Sequence, residues 1–182
     1  MAGRSFIVVI MEFIMSIISN MSVKVTYEIP DYELVALYEL MSRINVPKKS
    51  TKSNRRGFPE RHRGMVMGIS RGRLNGVTGL SYYSKKHPEL MEELHRIGMM
   101  LGIEYTSIQV NKNVVCPLHK DSKNIGESVI FSIGNYSGCK LVVEGVEVET
   151  RHRAVLFNGS LCEHWNTDDL LGDRWSFIFF KI

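Results

Sequence analysis

The strongest constraint on this chain is a change of hydrophobic period near Glu104. Before that point apolar residues recur at helical spacing. After it they fall in short runs: "YTSIQVNKNVV" (105–115), "SVIFSIG" (128–134), "KLVVEGVEVET" (140–150), "AVLFNG" (154–159) and "RWSFIFFKI" (174–182). These runs are rich in β-branched and aromatic residues and are separated by Gly, Asn or Asp, which is the pattern of strands ended by turns. Their spacing of about 8–12 residues is that of a sandwich or barrel rather than of βαβ units. The expected fold class is therefore α+β, with a jelly-roll core in the C-terminal half supported by N-terminal helices.

Two of those helices can be placed. "DYELVALYELMSRIN" (31–45) has its apolar residues on one helical face, with Asp31 expected as N-cap and Pro47 as a stop. "HPELMEELHRIGMMLG" (87–102) has Pro88 at the first helical position and Gly102 near its end. A length of 182 residues suits one domain with a sizeable core. That domain is expected over residues 21–182, with its core at about 103–182. Ahead of it, Phe6 to Ile18 form an apolar run broken by Glu12. The run is shorter than the roughly 20 apolar residues a membrane span needs. Glu12 and the lack of a small-residue cleavage site argue against a signal peptide. Residues 1–20 thus read as an extension ahead of Met21, and no membrane partner is expected. Cys116, Cys139 and Cys162 are too scattered for a disulfide framework or a CxxC zinc site, which fits small core thiols of an intracellular protein.

Charge is unevenly placed. The net charge is only +4, yet ten Lys or Arg residues lie between Arg43 and Arg73 against the single acid Glu60. Such a segment is either a solvated loop or a surface for a polyanion, because clustered cations replace counterions along phosphates.

The chemistry-bearing residues sit among the strands. "CPLHKDSKNIG" (116–126) sets His119 and Asp121 one residue apart, after a strand and ahead of a glycine. His164, in "LCEHWNTDD", follows 45 residues after His119. Two imidazoles and one carboxylate on one face of a metal leave positions open, which suits non-haem Fe(II) and its reactions with dioxygen. Zinc accepts the same ligands. Arg174, ten residues beyond His164, opens an apolar strand expected to cross the core. A guanidinium there needs an anionic partner, and a dicarboxylate cosubstrate would supply one through paired hydrogen bonds. Ser176, on the same strand face, adds a hydroxyl for the same carboxylate.

In this order and spacing, His119-x-Asp121, His164, Arg174 and Ser176 resemble the Fe(II)/2-oxoglutarate-dependent dioxygenases, whose fold is a double-stranded β-helix of the jelly-roll kind. The resemblance covers about residues 103–182. It implies iron held by His119, Asp121 and His164, and 2-oxoglutarate paired through its far carboxylate with Arg174 and Ser176. It also implies Asn113 or Asn111 as helpers for the near end of the cosubstrate, and dioxygen as the oxidant. The reaction implied is oxidative decarboxylation of 2-oxoglutarate to succinate, coupled to hydroxylation of a C–H bond. Apolar residues such as Ile130 and Phe157 would keep the barrel interior dry.

Within that superfamily, "SIQVNKN", "HKDSKNIGES" and "GNYSGCKLVV" look most like the TET and base-J-synthesising group, which oxidises methyl groups on nucleobases. That group carries paired glycines where this chain has Gly138-Cys139. The resemblance implies thymine or 5-methylcytosine in DNA as substrate, with nucleic acid approaching through the basic 43–73 segment. A base in a duplex must be flipped out and held by stacking and hydrogen bonds. Arg71, Arg73, Asn111 and Tyr82 are candidates for that, with Asn75 and Tyr83 beside them; alternatively the tyrosines belong to the core and the arginines to solvent. The other functions compatible with the sequence are the same chemistry on a protein side chain or small metabolite, and a non-catalytic nucleic-acid-binding module.

Overall fold

The computed structural model describes residues 23–48, 63–71 and 78–182. The apolar extension 1–20, most of the basic segment (49–62), Arg73 and Asn75 lie outside the described residues. Among the described residues three helices, α1 (Asp31–Arg43), α2 (Tyr82–Lys86) and α3 (Pro88–Met100), accompany twelve strands. The strands are β1 (Val23–Glu28), β2 (Arg63–Arg71), β3 (Thr78–Leu80), β4 (Ser107–Lys112), β5 (Ser128–Ile133), β6 (Tyr136–Ser137), β7 (Leu141–Val143), β8 (Val146–Val148), β9 (Arg153–Phe157), β10 (His164–Asn166), β11 (Leu171–Gly172) and β12 (Trp175–Phe180).

A seven-stranded antiparallel sheet has the order β1-β9-β5-β12-β4-β2-β3. A three-stranded sheet, β10-β7-β8, supplies the second layer, and β11-β6 form a short ribbon. Strands distant in sequence are thus neighbours in space, as a jelly roll requires. Strands β1, β2 and β3 and helix α2 were not legible from sequence. In β2 the apolar alternation is reduced to Met65 and Met67, between Gly64, Gly68 and flanking arginines. Gly68 has a φ of +77°, and a Cβ there would lie 2.4 Å from the Thr106 carbonyl oxygen, so the strand can follow β4 only with glycine at this point.

The two helices expected from sequence form, with one correction at α1. Pro30, not Asp31, is the N-cap, and Asp31 is the first helical residue. There its carboxylate favours the helix N-terminus and lies 2.8 Å from His152 Nδ1. His152, just ahead of β9, is a latch: its Nε2 lies 2.8 Å from the Tyr38 hydroxyl, which accepts the Gly134 N–H.

The sheet's two faces do different work. Leu34, Leu37, Leu40 and Met41 of α1, and Leu90, Leu94 and Ile97 of α3, pack on Met65, Met67, Ile108, Val110, Phe131, Phe177 and Phe179. Phe131 stacks on Phe177 with centroids 5.0 Å apart. The alternate residues of the same strands point between the two sheets. Ile130, Val155 and Phe157 meet Leu141 and Val143 of the small sheet there. β5 is buried along its whole length because both of its faces are covered. Among the described residues, no helix is long and apolar enough to cross a membrane.

Candidate active site

Between the sheets lies a cavity of about 480 Å³, within the range of small-molecule sites. Its floor is the inward face of β4 and β12, and its roof includes the segment 114–124 and β10. Two straps hold that roof in place. The Cys116 N–H donates to Asn166 Oδ1, and the Asn166 N–H donates to the Cys116 carbonyl. Three residues on, His119 and His164 exchange backbone hydrogen bonds, each 3.0 Å long. The pairing sets the imidazoles side by side, with ring centroids 4.2 Å apart. Asp121 is placed by its own N–H, which donates to the Gly159 carbonyl at 2.7 Å.

The two imidazoles have their tautomers fixed. His119 Nδ1 lies 2.7 Å from the Pro117 carbonyl oxygen and His164 Nδ1 lies 3.0 Å from that of Cys162. A carbonyl only accepts, so both Nδ1 atoms carry the hydrogen, and in the neutral imidazoles both Nε2 atoms keep a lone pair. Those lone pairs converge on one carboxylate: His119 Nε2 is 3.8 Å from Asp121 Oδ1 and His164 Nε2 is 3.6 Å from Asp121 Oδ2. One ligand atom from each residue falls within 4.8 Å of the others. Backbone carbonyls orienting two histidines through Nδ1 is the outer-shell arrangement of a metal site, and this donor set fits a divalent iron. A Cβ at Gly159 would sit 3.3 Å from His164 Cε1 and 3.6 Å from Asp121 Oδ2, so glycine leaves room beside the triad.

Arg174 is 1% exposed. One guanidinium nitrogen donates to Thr150 Oγ1 at 3.3 Å, and Cζ lies 5.7 Å from the Tyr136 ring centroid. Its Nε has no partner, and among the described residues no carboxylate lies within ion-pair distance of it. Thr150 and Tyr136 are tied together through Ser132, at 2.7 Å to each. Burial pushes the Tyr136 hydroxyl and the Cys139 thiol up, against the pull of the Arg174 charge. A buried cation with an unfilled donor is costly unless an anion completes it, which fits a carboxylate ligand. Cys139 follows Gly138 with a φ of +55°, where glycine is the easier residue, and its N–H donates to Asp169 Oδ1 at 2.9 Å.

The expected residues separate into groups. His119, Asp121, His164, Ser176, Asn111, Ile130 and Phe157 all line the cavity. Arg174 is not among the lining residues but lies next to them, on the strand face that carries Ser176. Asn113 does not line the cavity. It is exposed with a φ of +52°, accepts the Arg174 N–H at 2.7 Å and donates to Asp173 at 2.8 Å, so it serves as a turn clamp. Arg71 closes β2 opposite Thr78, near the cavity-lining Ile69 and Ser70. Tyr82 is 68% exposed and rests edge-on against Tyr83, which packs on the core. Gln109, Asn166 and Thr150 were missed; alternation from Asn111 would have found Gln109.

By sequence, no family model and no curated protein matches the chain. Solved structures do match it in fold. The chain is similar to NgTET1 in complex with 5mC DNA, with a TM-score of 0.60 and 14% identity over 88% of this chain and 72% of that one. It is similar to a 2OG-Fe(II) oxygenase family oxidoreductase from Burkholderia pseudomallei, at 0.57 and 15% over 91% and 87%. OsALKBH1 follows at 0.52 and 12% over 87% and 96%. The chain thus shares its fold with these solved structures, and its His119, Asp121 and His164 form a donor group that could hold a metal ion.

Proposed function

We propose that the protein is an Fe(II)- and 2-oxoglutarate-dependent dioxygenase that hydroxylates a methyl group on a nucleobase, thymine or 5-methylcytosine, in DNA. The observation that carries the chemistry is the pair of histidines with both Nε2 lone pairs turned to one carboxylate at the wall of a cavity. Iron bound there would bring dioxygen and 2-oxoglutarate together: one oxygen atom goes to succinate as carbon dioxide leaves, and the other enters the C–H bond.

The chain's own residues do the rest. His119, Asp121 and His164 would hold the metal at the wall of the cavity. Arg174 binds the far carboxylate, with Ser176 beside it on the strand. Asn111, opposite Ser176 in the register of β4 and β12, offers an amide at the same end. Ile130, Phe157 and Ile178 exclude water from the reacting centre. Two findings support a nucleobase as substrate: a fold neighbour was solved with 5mC DNA, and the 43–73 segment is strongly basic. The test is incubation with Fe(II), 2-oxoglutarate and single- or double-stranded DNA containing thymine and 5-methylcytosine, followed by mass spectrometry of the nucleosides. Succinate with an oxidised base is the expected result. Succinate without one would move the substrate to a protein side chain or metabolite, and no succinate would leave a non-catalytic module.

A further inference from the structure

Gln109 and Asn111 share one face of β4, and both line the cavity. The Gln109 amide nitrogen lies 3.1 Å from the Met65 carbonyl oxygen, 3.0 Å from that of Val110 and 2.9 Å from Asn111 Oδ1. Three oxygens around an atom with two hydrogens commit its donors fully. The reversed amide would press its oxygen against the backbone carbonyl oxygens of Met65 and Val110 however Asn111 turns, so the orientation of Gln109 is fixed by its surroundings. Gln109 fixes Asn111 in turn, because an Oδ1 that accepts from Gln109 leaves Nδ2 for the cavity. Among the described residues no protein group bonds Gln109 Oε1 or Asn111 Nδ2, and neither atom is sealed by protein.

The two amides therefore present opposite chemistry, an acceptor at Gln109 and donors at Asn111. Strand register separates their surroundings. Asn111 lies opposite Ser176, at the Arg174 end of β12, where donors suit a carboxylate. Gln109 lies opposite Ile178 on one side and Val66 on the other, among apolar side chains. An acceptor there suits a ligand that brings a hydrogen-bond donor.

We infer that Gln109 Oε1 is a specificity-determining acceptor, selecting a substrate with an amino donor beside the carbon that is oxidised. The inference rests on the nucleobase reading above and narrows it. In a pyrimidine the group next to the 5-methyl is the 4-substituent, which is an amino donor in cytosine and a carbonyl acceptor in thymine. A solvated glutamine would serve either base by turning its amide. Gln109 cannot turn without losing its bonds to Met65, Val110 and Asn111, so it favours 5-methylcytosine and repels thymine O4.

The test compares matched duplexes that carry 5-methylcytosine or thymine at one position, with iron-loaded protein, 2-oxoglutarate and nucleoside mass spectrometry. Wild-type protein should prefer 5-methylcytosine by about tenfold or more in kcat/KM, the scale of one hydrogen bond against one unpaired acceptor. Gln109→Met keeps the length and loses the acceptor, and the ratio should fall towards one. Both bases are measured on the same variant, so a general loss of active protein divides out of the ratio. Thymine oxidised as fast as 5-methylcytosine, or a ratio that Gln109→Met leaves unchanged, overturns the role of Gln109 and leaves the nucleobase reading standing. Succinate formation with neither base oxidised overturns both.

Discussion

The two faces of the seven-stranded sheet are made by the same strands and have opposite tolerances. On the helix-backed face, Met65, Ile108, Phe131, Phe177 and Phe179 are buried apolar side chains with no partner to orient but one another. On the inward face one residue away, Gln109, Asn111, Ser132 and Ser176 interrupt the apolar series, and several of their polar atoms are held by hydrogen bonds. The lesson is that stability and chemistry alternate along single strands at a period of two. A substitution on one face should therefore leave the other face's property almost untouched.

The sharpest way to break that comparison is at the triad. Asp121→Ala or His119→Ala should cut turnover by on the order of a thousandfold or more, since either removes a metal ligand. The melting temperature of the metal-free variant should match that of metal-free wild type. A chelator should act likewise on wild type, with recovery on adding Fe(II) but not Zn(II). Turnover surviving Asp121→Ala would remove the triad from the chemistry. The mirror experiment is Phe177→Ala on the helix-backed face. It should destabilise the fold by about 3–5 kcal/mol in denaturant titration, because a stacked, fully buried ring leaves a cavity. The KM for 2-oxoglutarate of the fraction that stays folded should be unchanged; a large change would show the faces to be coupled.

Smaller effects refine the boundary between the faces. Arg174→Ala should raise the KM for 2-oxoglutarate by about thirtyfold or more, the scale of removing one partner of a buried charge pair. An unchanged KM would displace Arg174 from the cosubstrate. Tyr38→Phe takes one bond from His152 and strips the Gly134 N–H of its acceptor, so it should cost about 1–2 kcal/mol in the same titration with normal turnover. The gentlest test concerns Lys48, Lys49, Arg55 and Arg56. Neutralising all four should lower the slope of log affinity for DNA against log salt by up to about 3–4, if each one meets a phosphate.

What was legible in the sequence follows physical lines. The His119–Asp121 step is read directly because a one-residue spacing survives into space, and His164 because a strand must lead to it. The longer strands after Glu104 were visible because both of their faces draw on a mostly apolar alphabet, whereas the short β6, β10 and β11 fall outside the runs read from sequence. β2 was not, since glycines and arginines replace the alternation there and its support comes from Ser84 and Thr106, remote in sequence. Choosing between Asn111 and Asn113 needed the strand's end point: the left-handed backbone at Asn113 turns that side chain out of the alternation and onto Asp173. Burial of Arg174 was expected from its strand, whereas its neighbours Thr150 and Tyr136 are brought to it by pairings remote in sequence, which the strand and motif patterns around them do not reveal.

Strand β12 has one further consequence, concerning the order in which the molecule can be built. It is the last strand in sequence, yet it lies in the middle of the large sheet, between β5 and β4. Until residues 175–180 arrive, β4 with β2 and β3 on one side, and β5 with β9 and β1 on the other, are two half-sheets with a raw edge each. On a ribosome the cavity floor therefore cannot close by stages, and the long-range pairings that close it form late and together. Nascent chains halted short of Trp175 should expose those edges to chaperones, and longer ones should not.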